Sequence, residues 1–257
     1  MVVKSGKIFN PDGTLSGTGK KSSKNNDKYT YIGIALDRSG SMEYMVDPTI
    51  RGFNEHLQSI KDNASKGGHT KVSLVTFGGD VTKEFMNLTP SRIRELTKSS
   101  YKPLGSTPMY DAIGVLLRDL EEYDRSDYGN IGFLIIIISD GEENASRHYN
   151  NVRIATEIAR LKATGRWTFA YIGANQDVYE VAQYFKISAI PWTYSPDGTE
   201  KIYRCMSAST VNYLGSREDG NTAVGDYFTL STSTAADSVK ITTTTEGEKE
   251  EGKISYS

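Results

Sequence analysis

Five side chains whose only chemistry is oxygen sit where apolar runs end, between positions 37 and 140. Asp37, Ser39 and Ser41 lie in Asp37-Arg38-Ser39-Gly40-Ser41, Thr107 lies in Gly105-Ser106-Thr107-Pro108, and Asp140 lies in Ser139-Asp140-Gly141. Hydroxyls and carboxylates without nitrogen or sulfur suit one hard divalent cation. Magnesium takes octahedral oxygen geometry and keeps several waters, so two carboxylates and three neutral hydroxyls satisfy it only in part. An ion held largely by hydroxyls and water stays electron-poor and attracts one more carboxylate from outside. The chemistry these residues predict is metal-assisted capture of an acidic group, with Mg²⁺, or Mn²⁺ or Ca²⁺, as the cofactor.

Such residues converge only if strands carry them to one edge of a sheet. Tyr29 to Asp37 and Ile131 to Ser139 are nearly continuous apolar runs, the pattern of parallel strands buried on both faces. Lys71 to Phe77 reads as a further strand, and Gly78-Gly79-Asp80 turns it into Val81 to Leu88 as an antiparallel edge hairpin. Arg166 to Gly173 and Ile190 to Tyr194 complete the expected strands. Helices are expected from Asp47 as N-cap with Pro48 in first position, over Ser91 to Leu96, after Thr107 as cap, over Asn151 to Ala163, after Asp177 as cap, and over Thr199 to Leu214. The alternation predicts an α/β fold: a doubly wound, mostly parallel central sheet with one antiparallel edge strand and helices on both faces. In such sheets ligands bind outside the carboxyl ends of the strands, where Asp37 and Asp140 stand.

Composition bounds the rest. The chain has 257 residues and a formal net charge of -2, which gives no basic field for nucleic acid. Its single cysteine, Cys205, allows no internal disulfide and points to a reducing, cytoplasmic setting. No signal-like apolar core opens the chain, and the longest apolar run is too short for a bilayer, so no membrane role is expected. Residues 1–28 read as a polar extension, 29–215 as the domain, and 216–257 as a Ser/Thr-rich extension. Disorder is the expectation for that tail, with a hairpin of Val239 to Thr245 and Lys253 to Ser257 across the acidic run Glu246 to Glu251 as the alternative.

The three motifs, in this order and on these elements, resemble the metal-ion-dependent adhesion site of von Willebrand factor A domains. The resemblance covers residues 29–214 and implies a Rossmann-like sheet. It also implies direct metal contacts from Ser39, Ser41 and often Thr107, with Asp37 and Asp140 direct or through water. A partner's Glu or Asp would fill the last position. Gly105 to Asp111 and Ser139 to Asn144 are similar to the intracellular bacterial and phage-borne members rather than to integrins.

Other readings stand beside this one. Ser39, Ser41, Thr107 and Asp140 can each serve plain turn or cap chemistry. His56 falls in a surface-helix pattern and His69 and His148 in loops, with no zinc spacing. Cys205 reads as core. Met42 to Met45 are either a contact rim or a cover for the helix start, and Glu142, Glu143 and Asn144 read as a solvated loop, with shaping of the same rim as the alternative. A non-enzymatic binding module leads. A phosphohydrolase of haloacid-dehalogenase type would need an acid where Ser39 stands. An adaptor for a separate ATPase or a stress or defence complex is the third function; the oligomeric state stays open.

Overall fold

The computed structural model describes residues 27–124, 129–174 and 178–228. Six strands form one sheet: β1 (Lys28–Asp37), β2 (His69–Gly78), β3 (Asp80–Leu88), β4 (Asn130–Ser139), β5 (Trp167–Gly173) and β6 (Ser188–Pro191). Their order is β3-β2-β1-β4-β5-β6. All pairs are parallel except β2 with β3, the antiparallel edge that the Gly78-Gly79 turn predicts. Five helices connect them: α1 (Val46–Asn63), α2 (Met109–Glu121), α3 (Asn151–Lys162), α4 (Val178–Phe185) and α5 (Pro196–Glu218).

Strand alternation sorts the apolar runs into two cores. Ile32, Ile34 and Leu36 of β1 and Leu134, Ile136 and Ile138 of β4 face α1 and α5, which supply Phe53, Leu57, Ile60, Met206 and Leu214. Tyr31 and Ala35, with Phe133, Ile135 and Ile137, face α2, α3 and α4. A run buried on both faces must be apolar at every position, which is why β1 and β4 lack the alternation of a half-exposed strand.

Several local expectations give way to packing. A 3-10 helix over Gly40–Met45 runs straight into α1, so the helix starts at Val46 and Asp47 is not its cap. Pro48 still sits in the first turn, where a missing N–H leaves no bond unmade. His56 is fully buried rather than on a surface face, because α5 lies over that side of α1; burial lowers its pKa to about 3. Ser91 to Leu96 is not a helix. Only Pro90–Arg92 form a 3-10 turn, and the Asn54 amide both donates to the Leu96 carbonyl (3.0 Å) and accepts from its N–H (2.8 Å). The last strand comes earlier than Ile190 to Tyr194. The last helix is longer than expected, starting after Ser195, whose hydroxyl accepts from Gly198 N–H.

The composition change after Gly215 falls inside α5. Arg217 is fully buried there, and Tyr227 and Phe228 also pack into the body. The tail hairpin, the run Glu246 to Glu251, Asp177 and nearly all of the polar N-terminal segment lie outside the described residues. No helix among the described residues is long and apolar enough to cross a membrane.

Arg217 ties α5 to the lower edge of the sheet. It donates to the carbonyls of Tyr29 (3.0 Å), Asn130 (3.0 Å) and Asn221, and to Thr30 Oγ1 (3.1 Å). Removing it orphans several buried acceptors. Arg217→Met is expected to lose about 3 kcal/mol, or roughly ten degrees in Tm by calorimetry. A Tm within two degrees or so of the parent would show those carbonyls to be satisfied otherwise.

Candidate metal centre

The sheet reverses its winding between β1 and β4, which makes their upper ends the crevice of the fold. Leu36 pairs with Ile138, so Asp37 and Ser139 emerge side by side. Ser139 Oγ donates to Asp37 Oδ2 at 2.6 Å, and the N–H of Ser39 donates to Oδ1 at 2.6 Å. The second contact is an Asx-type turn that folds the loop back over the strand end. Ser39 Oγ then lies 3.0 Å from Ser41 Oγ, and Ser41 Oγ donates to Asp140 Oδ1 at 2.7 Å. Thr107 joins them: a Cβ placed on Gly141 would stand 3.9 Å from both Ser41 Oγ and Thr107 Oγ1. All five predicted residues therefore meet at one place. Asp37, Ser39, Thr107 and Asp140 are buried, and Ser41 faces solvent.

Neighbouring ligands of an octahedral magnesium, each about 2.1 Å from the ion, lie about 3 Å apart. The spacings along Ser39, Ser41 and Asp140 match that edge length. Both oxygens of Asp37 accept hydrogen bonds within the protein, which anchors the loop to the strand end. Among the described residues no group of three His, Cys, Asp or Glu side chains clusters, which leaves a site of two acids and three hydroxyls.

Burial raises the Asp37 carboxyl from 3.8 to about 6, against the lowering effect of the Ser139 and Ser39 hydrogen bonds, and the Asp140 charge raises it further. Asp140 is also raised, chiefly by burial. No ion pair among the described residues reaches Asp37. Arg38 beside it turns away, to Asp80, Thr76 and Thr82.

Several supporting groups have no signature in the sequence. The Tyr101 hydroxyl donates to the Asp37 carbonyl at 2.6 Å, and the Tyr194 hydroxyl donates to that of Ser41. Gly40 N–H donates to Gly105 O (3.0 Å), and Leu104 N–H donates to Arg38 O (2.8 Å). Gly105 adopts φ +78, and a Cβ there would stand 2.7 Å from Gly79 Cα, so only glycine lets the two loops touch.

Thr107 does not cap α2. Pro108 is the N-cap residue and makes no side-chain cap bond of its own, and the Thr107 hydroxyl does not bond the helix start. Glu143 takes over part of that role, accepting from Tyr110 N–H (2.8 Å) while also holding Ala145 N–H (2.8 Å) and Ser146 N–H (2.6 Å). Asn144 Oδ1 accepts from Thr107 N–H at 2.9 Å. Asp111 accepts from the N–H groups of Arg147, His148 and Tyr149. Glu143, half-buried, and Asn144, exposed yet bonded to Thr107 N–H, thus bracket the site as the rim alternative expects, while Glu142 is exposed. Met42 and Met45 are core, while Glu43 and Tyr44 project outward.

A folded-state pKa above the unfolded one means that this contribution to stability is complete below about 3.8 and is lost as pH rises through about 6. Asn at position 37 keeps an acceptor for Ser39 N–H and removes the buried charge. Asp37→Asn without metal is expected to gain up to about 3 kcal/mol near pH 8 and little near pH 4. Thermal melts in EDTA at the two pH values check this, and an equal gain at both would refute the charge as its cause.

The description of the von Willebrand factor type A domain matches residues 32–197. No curated protein matches the sequence. Among solved structures, the PilB minor pilin from Streptococcus sanguinis superposes with a TM-score of 0.52 at 12% identity, covering 74% of this chain and 63% of its own. The pilus adhesin SpaC from Lactobacillus rhamnosus GG, in its open conformation, gives 0.52 at 14%, with 74% and 31% covered. The vWF domain of the type V pili tip protein Mfa5 from Porphyromonas gingivalis gives 0.51 at 10%, with 73% and 96% covered. The chain therefore spans less than two-thirds of the minor pilin and about a third of the adhesin. At these identities the likeness is one of fold.

Proposed function

The chain belongs to the von Willebrand factor type A family, and from that premise we propose that it is a non-enzymatic protein-binding module dependent on a divalent ion. Ser39, Ser41, Thr107 and Asp140 hold the ion, with Asp37 behind them. The observation that carries this is the chain of oxygens at 3.0 and 2.7 Å from Ser39 through Ser41 to Asp140, beside the buried Asp37 carboxylate, which has no cationic partner among the described residues. A bound Mg²⁺ or Mn²⁺ supplies an electron-poor centre for a carboxylate. The protein's own groups set its place: Tyr101 and Tyr194 fix the loop carbonyls, Asn144 holds Thr107, and Ser41 stands at the solvent side. The partner is a protein offering Glu or Asp.

The phosphohydrolase reading fares poorly on geometry. Asp37 is fully buried and both its carboxylate oxygens are engaged, a poor posture for a nucleophile. A cytoplasmic setting and kinship with the intracellular bacterial or phage-borne members belong to the same proposal. They rest on the lone Cys205 and on the Gly105 to Asp111 and Ser139 to Asn144 segments.

Ion binding should register as stability. At about a hundred times its dissociation constant, Mn²⁺ is expected to add about 2.7 kcal/mol, several degrees of Tm. EDTA should erase that gain, and Ser39→Ala with Ser41→Ala should abolish it while the EDTA melt stays near the parent's. Capture of partner protein from lysate is expected with Mg²⁺ and not with EDTA or Asp37→Ala. Capture that survives both treatments would end the metal-dependent reading.

A further inference from the structure

The most exposed large apolar side chains of the described residues stand on the loops that build the metal centre. Tyr44 is 83% exposed and Leu104 is 69% exposed. Tyr44 lies three residues after Ser41, on the 3-10 helix, and Tyr194 is close enough to feel both Tyr44 and Asp140. Leu104 lies three residues before Thr107 and is fastened from the other direction, its N–H on Arg38 O and its carbonyl near Gly79 at the β2–β3 turn. Apolar surface therefore flanks the mouth on the α5 side and on the β2–β3 side. Both side chains stand in solvent on the loops that hold the polar centre, where a bound segment would cover them.

The charge around the mouth narrows the occupant. Glu43 follows Ser41 by two residues, and Glu142 follows Asp140 by two. Both are exposed, and neither is in an ion pair among the described residues. Lys102 is the basic residue on the Leu104 side. Five carboxylates, Asp37, Asp140, Glu43, Glu142 and Glu143, against one divalent ion and Lys102, with Arg38 already paired to Asp80, leave no surplus of positive charge. One incoming carboxylate gains a direct bond to the ion, whereas further acids beside it meet Glu43 and Glu142.

We infer that the partner segment carries a single Glu or Asp set between aliphatic or aromatic residues, which pack on Tyr44 on one side and Leu104 on the other, and that acidic runs are rejected. This inference rests on the capture reading above. It follows that nucleic acid and polyacidic tails are poor ligands, and that Tyr44 and Leu104 determine specificity without touching the ion.

A displayed library of peptides with one fixed central glutamate and random flanks tests this, panned on the full chain in Mg²⁺ and eluted with EDTA. Leu, Ile, Phe and Tyr are expected to be enriched beside the glutamate. The Tyr44→Ser/Leu104→Ser double variant is expected to bind the enriched peptides about tenfold more weakly, with the parent's Tm and Mn²⁺ affinity. Enrichment of further acids, or binding indifferent to the flanks and to the double variant, overturns the inference and leaves metal-dependent capture standing. If no clone depends on Mg²⁺ while Mn²⁺ still binds, the capture reading falls and this inference falls with it.

Discussion

A carboxylate buried at the seam of two parallel strands, with no basic side chain among the described residues to neutralise it, sets the terms for the upper edge of this protein. Asp37 sits where β1 ends against β4, and its two oxygens take one hydrogen bond from the following loop and one from Ser139 across the seam. Those bonds lower the cost of the buried charge without removing it, and burial still holds the carboxyl up near 6. The loop that satisfies Asp37 is the loop that presents Ser39 and Ser41. Satisfying one buried acid and assembling the oxygen cluster are thus a single structural event.

The rest of the fold keeps that seam rigid. Two cores clamp β1 and β4 from both faces, so the strand ends have little freedom. Above them the loops are stitched to each other rather than left to solvent. Tyr101 and Tyr194 reach from separate segments to carbonyls of the first loop. Glu143, Asn144 and Asp111 lock the loop after β4 onto the start of α2. The result is a preorganised set of neutral and acidic oxygens, the condition for binding a hard ion without rearrangement. Tyr44 and Leu104, on the loops that hold this polar centre, are exposed beside it.

Much of this is readable from the chain alone, for reasons that differ element by element. The unbroken apolar runs of β1 and β4 signal strands buried on both sides, and Gly78-Gly79-Asp80 signals the antiparallel edge. Helical spacing marks Met109, Ile113, Leu116 and Leu120 as inward, and they are. Where reading fails, a distant partner has overridden a local preference. His56 looks exposed until α5 covers it. Ser91 to Leu96 looks helical until the Asn54 side chain takes the Leu96 backbone groups. Thr107-Pro108 looks like a capped helix start, yet Glu143, more than thirty residues away, supplies the capping carboxylate.

The types of the five oxygen-bearing residues, their order, and their places at the ends of strands and the start of a helix are properties of the sequence, because hydrophobic period and turn chemistry act over a few residues. That Asp37 and Asp140 share one crevice was decided in three dimensions. It depends on β4 pairing beside β1 rather than at an edge, and pairing order is set by how whole faces of strands and helices fit together. The brackets made by Tyr101, Tyr194, Asp111 and Glu143 were decided there too. A hydroxyl or carboxylate that bonds backbone far along the chain leaves no mark on its own neighbours.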